Sequence, residues 1–291
     1  MGRSSTQPDA KSTKPANKNA SRKGNMLRLG VQLLFFLFIA AIAVNLKLEE
    51  MRMAITWLPT TCLHAICPFG GVESLYQLVT AGMYIQKIDQ SALVLMVLAF
   101  ILAIIAGPLF CGWICPLGSF QEWLGKIGRR LLGNKFNFII PVGVDRYLRF
   151  LRYGILIAVI VATAVSAKLV FADYDPYHAL FRFYSGEVAV TALIVLGVVL
   201  AASFFVERPF CKYACPYGAL LGVFNFFSLF PLRRSESKCI DCKACDQSCP
   251  MNIVVSERKT VRHHQCITCL KCTSESACPV AGTVSLSLTK L

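Results

Sequence analysis

Near its C-terminus the chain carries two cysteine runs, Cys239-Ile-Asp-Cys242-Lys-Ala-Cys245-Asp-Gln-Ser-Cys249-Pro250 and Cys266-Ile-Thr-Cys269-Leu-Lys-Cys272-Thr-Ser-Glu-Ser-Ala-Cys278-Pro279. In each run three cysteines are separated by two residues, and a fourth is followed by proline. Three thiolates with this spacing can hold one side of a [4Fe-4S] cube, and the Cys-Pro of the other run usually completes it. The crossing rule predicts two clusters, one with ligands Cys239, Cys242, Cys245 and Cys278, the other with ligands Cys266, Cys269, Cys272 and Cys249.

A disulfide framework and a structural zinc site are the alternatives for these cysteines. Zinc ligands usually come as separated Cys-x2-Cys pairs or with paired histidines, whereas each run here is a Cys-x2-Cys-x2-Cys triplet that offers one cluster three ligands. The second run departs from the common spacing, because five residues, 273–277, precede its last cysteine. We therefore expect this loop to differ in shape from the common one, and we still predict a cluster.

The composition of the chain is typical of an integral membrane protein. Its 291 residues are 55% hydrophobic, with a mean hydropathy of +0.56, which is too apolar for an ordinary soluble domain. Four stretches are long enough to cross a hydrocarbon core of about 30 Å, namely 29–46, 92–110, 147–170 and 188–206. We expect an α-helical protein with four transmembrane helices and a C-terminal ferredoxin-like α+β domain, divided into a disordered basic tail (1–27), a membrane domain (28–232) and a two-cluster domain (233–291).

The net charge of +14 follows the expected topology. With the N-terminus in the cytoplasm, most Lys and Arg fall in cytoplasmic segments, as the positive-inside rule requires. This places both termini and the cysteine runs on the cytoplasmic side of the cell's inner membrane, where reduced thiols are common. A nucleic-acid partner is not expected, because no basic stripe with interleaved aromatic residues is present.

The remaining six cysteines fall in three related pairs, each ending in Cys-Pro-x-Gly: Cys62-x4-Cys67-Pro68, Cys111-x3-Cys115-Pro116 and Cys211-x3-Cys215-Pro216. The last two each follow a predicted span that enters the cytoplasm, and each proline is expected to start a short helix. Their four cysteines are predicted to converge and to bind a further cluster or another metal, or to form a redox dithiol. The alternative is that these residues only shape a turn.

The first pair, Cys62 and Cys67, lies in a predicted external loop, where a disulfide and a ligating or redox role are both open. His64 between them is a weaker candidate ligand. A second external loop, 172–178, gathers acidic, phenolic and imidazole groups that could accept protons from a quinol, although a polar turn with interfacial tyrosines is the favoured interpretation. No predicted span contains histidine, so we do not expect a haem held between helices.

The twin Cys-x3-Cys-Pro motifs behind alternate helices, together with the two-cluster C-terminus, resemble the NapH/NosR family of membrane-bound ferredoxin-type proteins. The resemblance covers about 28–291 and implies electron transfer between the quinone pool and a redox partner, with other redox subunits (ferredoxin-type, flavin or cytochrome) as partners. Cys62-x4-Cys67-Pro68 departs from NapH, and a long external flavin-binding domain of the NosR kind is not seen in the chain.

Two other functions stay open at this point. Related copper-reducing proteins of oxidase biogenesis also carry twin Cys-x3-Cys-Pro, so a metal reductase or assembly factor is the main alternative. A redox-sensing membrane regulator is the other. The sequence shows no acid–base pair and no substrate pocket. The enzymatic role that we predict is therefore limited to that of a quinol dehydrogenase-type subunit.

Overall fold

The structure is a computed structural model that describes residues 18–51, 53, 90–133, 136–137, 139–166, 170–184 and 188–288. Within these ranges the chain is mostly helical. The helices, numbered in chain order, are α1 (Lys18–Glu50), α2 (Gln90–Ala106), α3 (Pro116–Leu132), α4 (Val142–Ser166), α5 (Pro176–Arg182), α6 (Val190–Ser203), α7 (Pro209–Tyr213), α8 (Pro216–Phe224) and α9 (Ala244–Gln247). Cys62, His64 and Cys67 lie outside the described residues.

Two helices are long and apolar enough to cross a membrane, over Gly24–Glu49 in α1 and Gly143–Val165 in α4. Large apolar side chains on both are exposed, including Leu34 and Leu37 on α1 and Ile157 and Val161 on α4. A soluble protein would bury such faces, so they identify a membrane protein. The other two predicted spans form the shorter apolar helices α2 and α6, and their passage through the membrane stays a prediction.

The start of α1 and the end of α2 differ from the sequence-based expectation. Helix α1 begins at Lys18, so 18–27 is helical where a disordered tail was predicted, because a helix once nucleated extends into neighbouring residues at little cost. Helix α2 ends at Ala106, before the predicted limit. Gly107 then has φ +79 and Pro108 has no N–H to donate, so the helix cannot continue.

The membrane domain contains two similar halves. In each half a cysteine pair is followed by a helix whose first residue is the motif proline, α3 after Cys115 and α8 after Cys215, as predicted. Helix α3 packs on α1, and α8 packs on α4. Each half thus combines a long membrane helix, a short apolar helix, a cysteine pair and a proline-started helix.

The segment between α4 and α6 packs inward. Tyr177 and Phe181 of α5 belong to one apolar cluster with Leu117 of α3, and Cys115 and Cys215 pack against that cluster. Asp175 caps the start of α5 by accepting a hydrogen bond from the Tyr177 N–H at 2.9 Å. The predicted loop 172–178 is therefore not a simple exposed turn, because its central residues are buried beside the motif cysteines.

The C-terminal module contains a three-stranded antiparallel sheet with the order β2-β1-β3, made of β1 (Leu232–Arg234), β2 (Thr260–Val261) and β3 (Val284–Leu286). In the register of this sheet Leu232 pairs with both Val261 and Leu286. The buried residues Leu232, Val261 and Val284 form one core with the cysteines of both runs. The ferredoxin-like classification of this module stays a prediction.

Candidate iron-sulfur centres

The first cysteine set lines one cavity of the C-terminal module. Cys239, Cys242, Cys245 and Cys278 line one small cavity, and these are the cysteines that the crossing rule groups together. Apolar residues around them include Ile240, Val280 and Val284. Cys242 is exposed whereas Cys245 is buried, so this set lies at the surface of the module.

The second set lines a separate cavity nearer the membrane domain. Cys249, Cys266, Cys269 and Cys272 line this second small cavity together with apolar residues such as Leu232, Met251 and Ile253. The N–H of Ile253 donates to the Cys249 sulfur at 3.4 Å. Cys266 and Cys272 are buried, so this set is better shielded from water than the first.

The loops around both sets share an unusual backbone. The residues on either side of each middle cysteine have positive φ angles, +52 at Asp241 and +55 at Lys243 in the first run, and +46 at Thr268 and +58 at Leu270 in the second. Such angles are uncommon for these residue types and indicate that the surroundings impose them. Alternation between left- and right-handed conformations turns successive N–H groups toward one concavity, a nest that suits anions and occurs at iron-sulfur sites.

The third set consists of the four cysteines from the twin motifs. The thiols of Cys111, Cys115, Cys211 and Cys215 are close enough to interact electrostatically, so the structure brings them together as predicted. The N–H of Gly218 donates to the Cys215 sulfur at 3.3 Å. Burial, together with the neighbouring thiol of Cys115, raises the pKa of Cys211 to about 12. A metal bound here would therefore have to displace protons from the thiols.

Each of the three sets offers four thiols, the donor set that [4Fe-4S] clusters use. Within the described ranges, no three His, Cys, Asp or Glu side chains are close enough to hold one ion. A mononuclear thiolate site with Zn–S bonds of about 2.3 Å needs sulfurs within about 4 Å of each other. In a four-iron cube each thiolate binds its own iron, so the sulfurs lie farther apart.

The first cysteine set lies next to the second, and the second lies next to the third. Charge interactions connect Cys245 and Cys272, which belong to the first and second sets. Cys111 packs against the core of the C-terminal module, together with Cys269, and also against the core of the membrane domain. Cys111 thus lies where the second and third sets meet.

Gly112 makes this close approach possible. A Cβ atom at Gly112 would lie 2.4 Å from the Ile267 carbonyl oxygen and 3.3 Å from the Cys269 Cα. The neighbouring Trp113 indole donates to the Thr268 carbonyl oxygen at 3.1 Å. In the other half, a Cβ at Gly222 would lie 2.3 Å from the His264 carbonyl oxygen.

A buried ionic network that the sequence did not reveal surrounds this junction. Arg208 is fully buried with φ +54, and its guanidinium donates to Glu122 at 2.6 Å and to the Cys111 carbonyl oxygen. Arg28 and Lys271 contact the same carboxylate at 2.5 and 3.2 Å. Burial raises the pKa of Glu122, but the three cations lower it to well below its usual range, so Glu122 is ionised.

The histidines of the C-terminal module take part in docking. Arg152 of α4 donates to the His264 carbonyl oxygen at 2.7 Å, and Asn225 donates to the His263 carbonyl oxygen at 2.8 Å. Burial lowers the pKa of His264 to about 4, so the imidazole is neutral at physiological pH. These contacts tie the module to the second half of the membrane domain, which contains α4 and α8.

Comparisons with known proteins agree with these observations. A family model described as a 4Fe-4S binding domain matches residues 88–135 and 188–234, the two segments that hold the twin cysteine motifs. An uncharacterized protein of Methanocaldococcus jannaschii is 34% identical over 72% of this chain and 82% of its own length. The putative electron transport protein YccM of Escherichia coli is 32% identical over 77% of this chain, and the match spans 63% of YccM.

A third relative is the ferredoxin-type protein NapH of Haemophilus influenzae, which is 30% identical over 58% of this chain and 60% of its own length. No solved structure matches the chain. The relatives and the domain match together identify an electron-transfer iron-sulfur protein.

Proposed function

Because this chain belongs to the NapH/NosR-like family of ferredoxin-type proteins, we propose that it carries electrons between the quinone pool and a redox partner. The electrons pass through three iron-sulfur centres in series. The first and second cysteine sets hold one [4Fe-4S] cluster each, and the third set holds a further cluster. The protein lies in the inner membrane with both termini in the cytoplasm.

The observation that carries this proposal is the position of Cys111 between two cores. It packs with Cys269 on one side and with the core of the membrane domain on the other, so the third set is joined to the second by protein atoms. The domain match over both motif segments supports a cluster at the third set. Iron-sulfur clusters supply one-electron chemistry over a wide range of potentials that depend on charge and exposure.

The two ends of the series have different surroundings. Cys242 of the first set is exposed, which suits contact with a partner subunit. Cys115 and Cys215 of the third set pack against the apolar cluster of α1, α5 and α6, which suits exchange with a quinone from the bilayer. We therefore place the quinone at the third set and the partner protein at the first.

The protein's cations favour the reduced state of the inner centres. Arg208 interacts with Cys111, Cys211 and Cys269, and Lys271 interacts with Cys269. A reduced cluster carries one more negative charge than an oxidised one. Buried cations beside it stabilise that charge, because charges interact more strongly away from water.

The test is anaerobic reduction of the purified, cluster-replete protein by a menaquinol analogue, followed by electron paramagnetic resonance, with dithionite as the full-reduction control. The variant Cys211→Ser removes a ligand of the third set, and the matched variant Cys278→Ser removes a ligand of the first. In C278S we expect menaquinol still to reduce the second centre. In C211S we expect only dithionite to reduce the first and second centres.

Two results would separate the parts of the proposal. If menaquinol fails to reduce the wild type while dithionite succeeds, the quinone coupling is wrong. If C211S responds to menaquinol as the wild type does, quinol enters elsewhere and the series is wrong. Unchanged visible absorption from the first and second clusters in C211S checks that this variant is folded.

A further inference from the structure

A polar cavity of about 400 Å³ lies between α1, α3 and the C-terminal module. Its charged lining residues are Arg28, Glu122, Lys126, Arg129, Glu207 and Lys271. We propose that this cavity binds the phosphate group of an anion, either the headgroup of an anionic phospholipid or free phosphate. The described lining of this cavity contains no cysteine.

The first reason is an excess of positive charge in the cavity wall. Four cations face two carboxylates there, and both carboxylates already have partners. Glu122 accepts from Arg28 at 2.5 Å and lies 3.2 Å from the Lys271 ammonium. Glu207 pairs with Arg129 at 2.8 Å and with Lys271. A cleft lined by an excess of one charge concentrates ions of the opposite sign, so this wall favours an anion.

Lys126 carries much of this excess. Partial burial lowers its pKa most, Lys271 and Arg28 lower it further, and Glu122 and Glu207 raise it. Its side chain is exposed on α3 and lines the cavity. An anion in the cavity would place a counter-charge beside its ammonium group and hold the side chain in place.

The second reason is the set of hydrogen-bond donors around the cavity. The lining includes the amide of Asn25 and the hydroxyls of Ser248 and Ser276. Arginine, lysine, amide and hydroxyl groups together are the donors that phosphate oxygens accept, and arginine binds phosphate through two parallel hydrogen bonds.

The position of the cavity favours a lipid as the source of the phosphate. The candidate membrane span of α1 begins at Gly24, so Asn25 and Arg28 lie at its first turns. Leu29 of α1 also lines the cavity and offers apolar surface beside the charged groups. Basic pockets at the cytoplasmic ends of membrane helices bind anionic headgroups.

Binding at this cavity would stabilise the docked C-terminal module. Ser248, Lys271 and Ser276 belong to the module, whereas Arg28 and Lys126 belong to the membrane domain. An anion held by both parts would connect them. The effect to measure is therefore a rise in thermal stability of the whole protein when the anion is added.

The experiment uses the full chain, purified and delipidated in detergent, and measures the midpoint of thermal unfolding. The added probes are phosphatidylglycerol, phosphatidylcholine at equal concentration, and inorganic phosphate. The test variant is Lys126→Gln. The matched control is Arg130→Gln, because Arg130 is exposed on the same helix but does not line the cavity.

We expect phosphatidylglycerol to stabilise the wild type and R130Q, and its apparent affinity for K126Q to be about fivefold weaker. Stabilisation by phosphatidylglycerol alone assigns the site to a lipid headgroup. Equal stabilisation by inorganic phosphate, weakened in K126Q, assigns it to free phosphate. The proposal is overturned if phosphatidylcholine stabilises as well as phosphatidylglycerol, or if K126Q and R130Q respond alike. Unchanged cluster absorption confirms that both variants are folded.

Discussion

The substitution Gly112→Ala tests whether the C-terminal module packs as closely on the membrane domain as the structure indicates. The added Cβ would lie 2.4 Å from the Ile267 carbonyl oxygen, which is 1.0 Å short of ordinary contact at 3.4 Å. That oxygen is a backbone atom in the loop of the second cysteine set, so it cannot rotate away. The loop must move by about 1 Å or the module must separate.

Overpacking of this kind costs about 1–3 kcal/mol. For a protein of this size that cost lowers the midpoint of thermal unfolding by about 2–12 °C. We expect the loss to appear as earlier release of the C-terminal module, measured by limited proteolysis, together with slower reduction of the second centre by menaquinol. Reduction by dithionite should stay complete, because that reagent reaches the module from water.

The matched control is Gly154→Ala on α4, where a Cβ meets nothing within 4 Å. An alanine in a helix interior is up to about 1 kcal/mol more favourable than glycine, so G154A should unfold at the wild-type temperature or slightly above. If G112A has the stability and the proteolysis pattern of G154A, the close docking of the second set on Cys111 is refuted.

Three further predictions concern single side chains. Burial raises the pKa of Asp175 to about 6, so the folded state favours the protonated carboxyl. The free energy of unfolding is therefore highest below about pH 4 and falls by about 3 kcal/mol as the pH rises through 6. Asp175→Asn should therefore gain stability over the wild type between pH 4 and 8 in thermal unfolding, and a constant difference would contradict this. Glu122→Gln leaves the buried guanidinium of Arg208 without its carboxylate and should lower the free energy of unfolding by about 3–5 kcal/mol. The control Glu236→Gln, at the surface, should lower it little. Equal losses in the two variants would show that the network is not buried. Cys278→Ser should lower the iron content by one cluster and leave the second centre's electron paramagnetic resonance signal intact, and loss of both signals would contradict the separate cavities.

Local patterns in the sequence determined much of the chemistry. The spacing of the cysteines predicted the two groups that line separate cavities, because three thiolates two residues apart must share one loop. The prolines at 116 and 216 predicted the starts of α3 and α8, since proline suits the first turn of a helix. The apolar runs predicted helices at the observed places, with limits that differ where Gly107 and Pro108 end α2.

The tertiary structure alone decided how these parts meet. Glu122 and Arg28 are 94 positions apart, and no spacing rule relates them. The sequence also did not predict that Asp175 lies beside the motif cysteines, because the residues around Asp175 belong to helices that are distant in the chain. Gly112 reads as an ordinary turn residue until Ile267 is known to pack on it. Spacing encodes contacts within one loop or turn, whereas burial and charge pairing depend on which distant surfaces pack together.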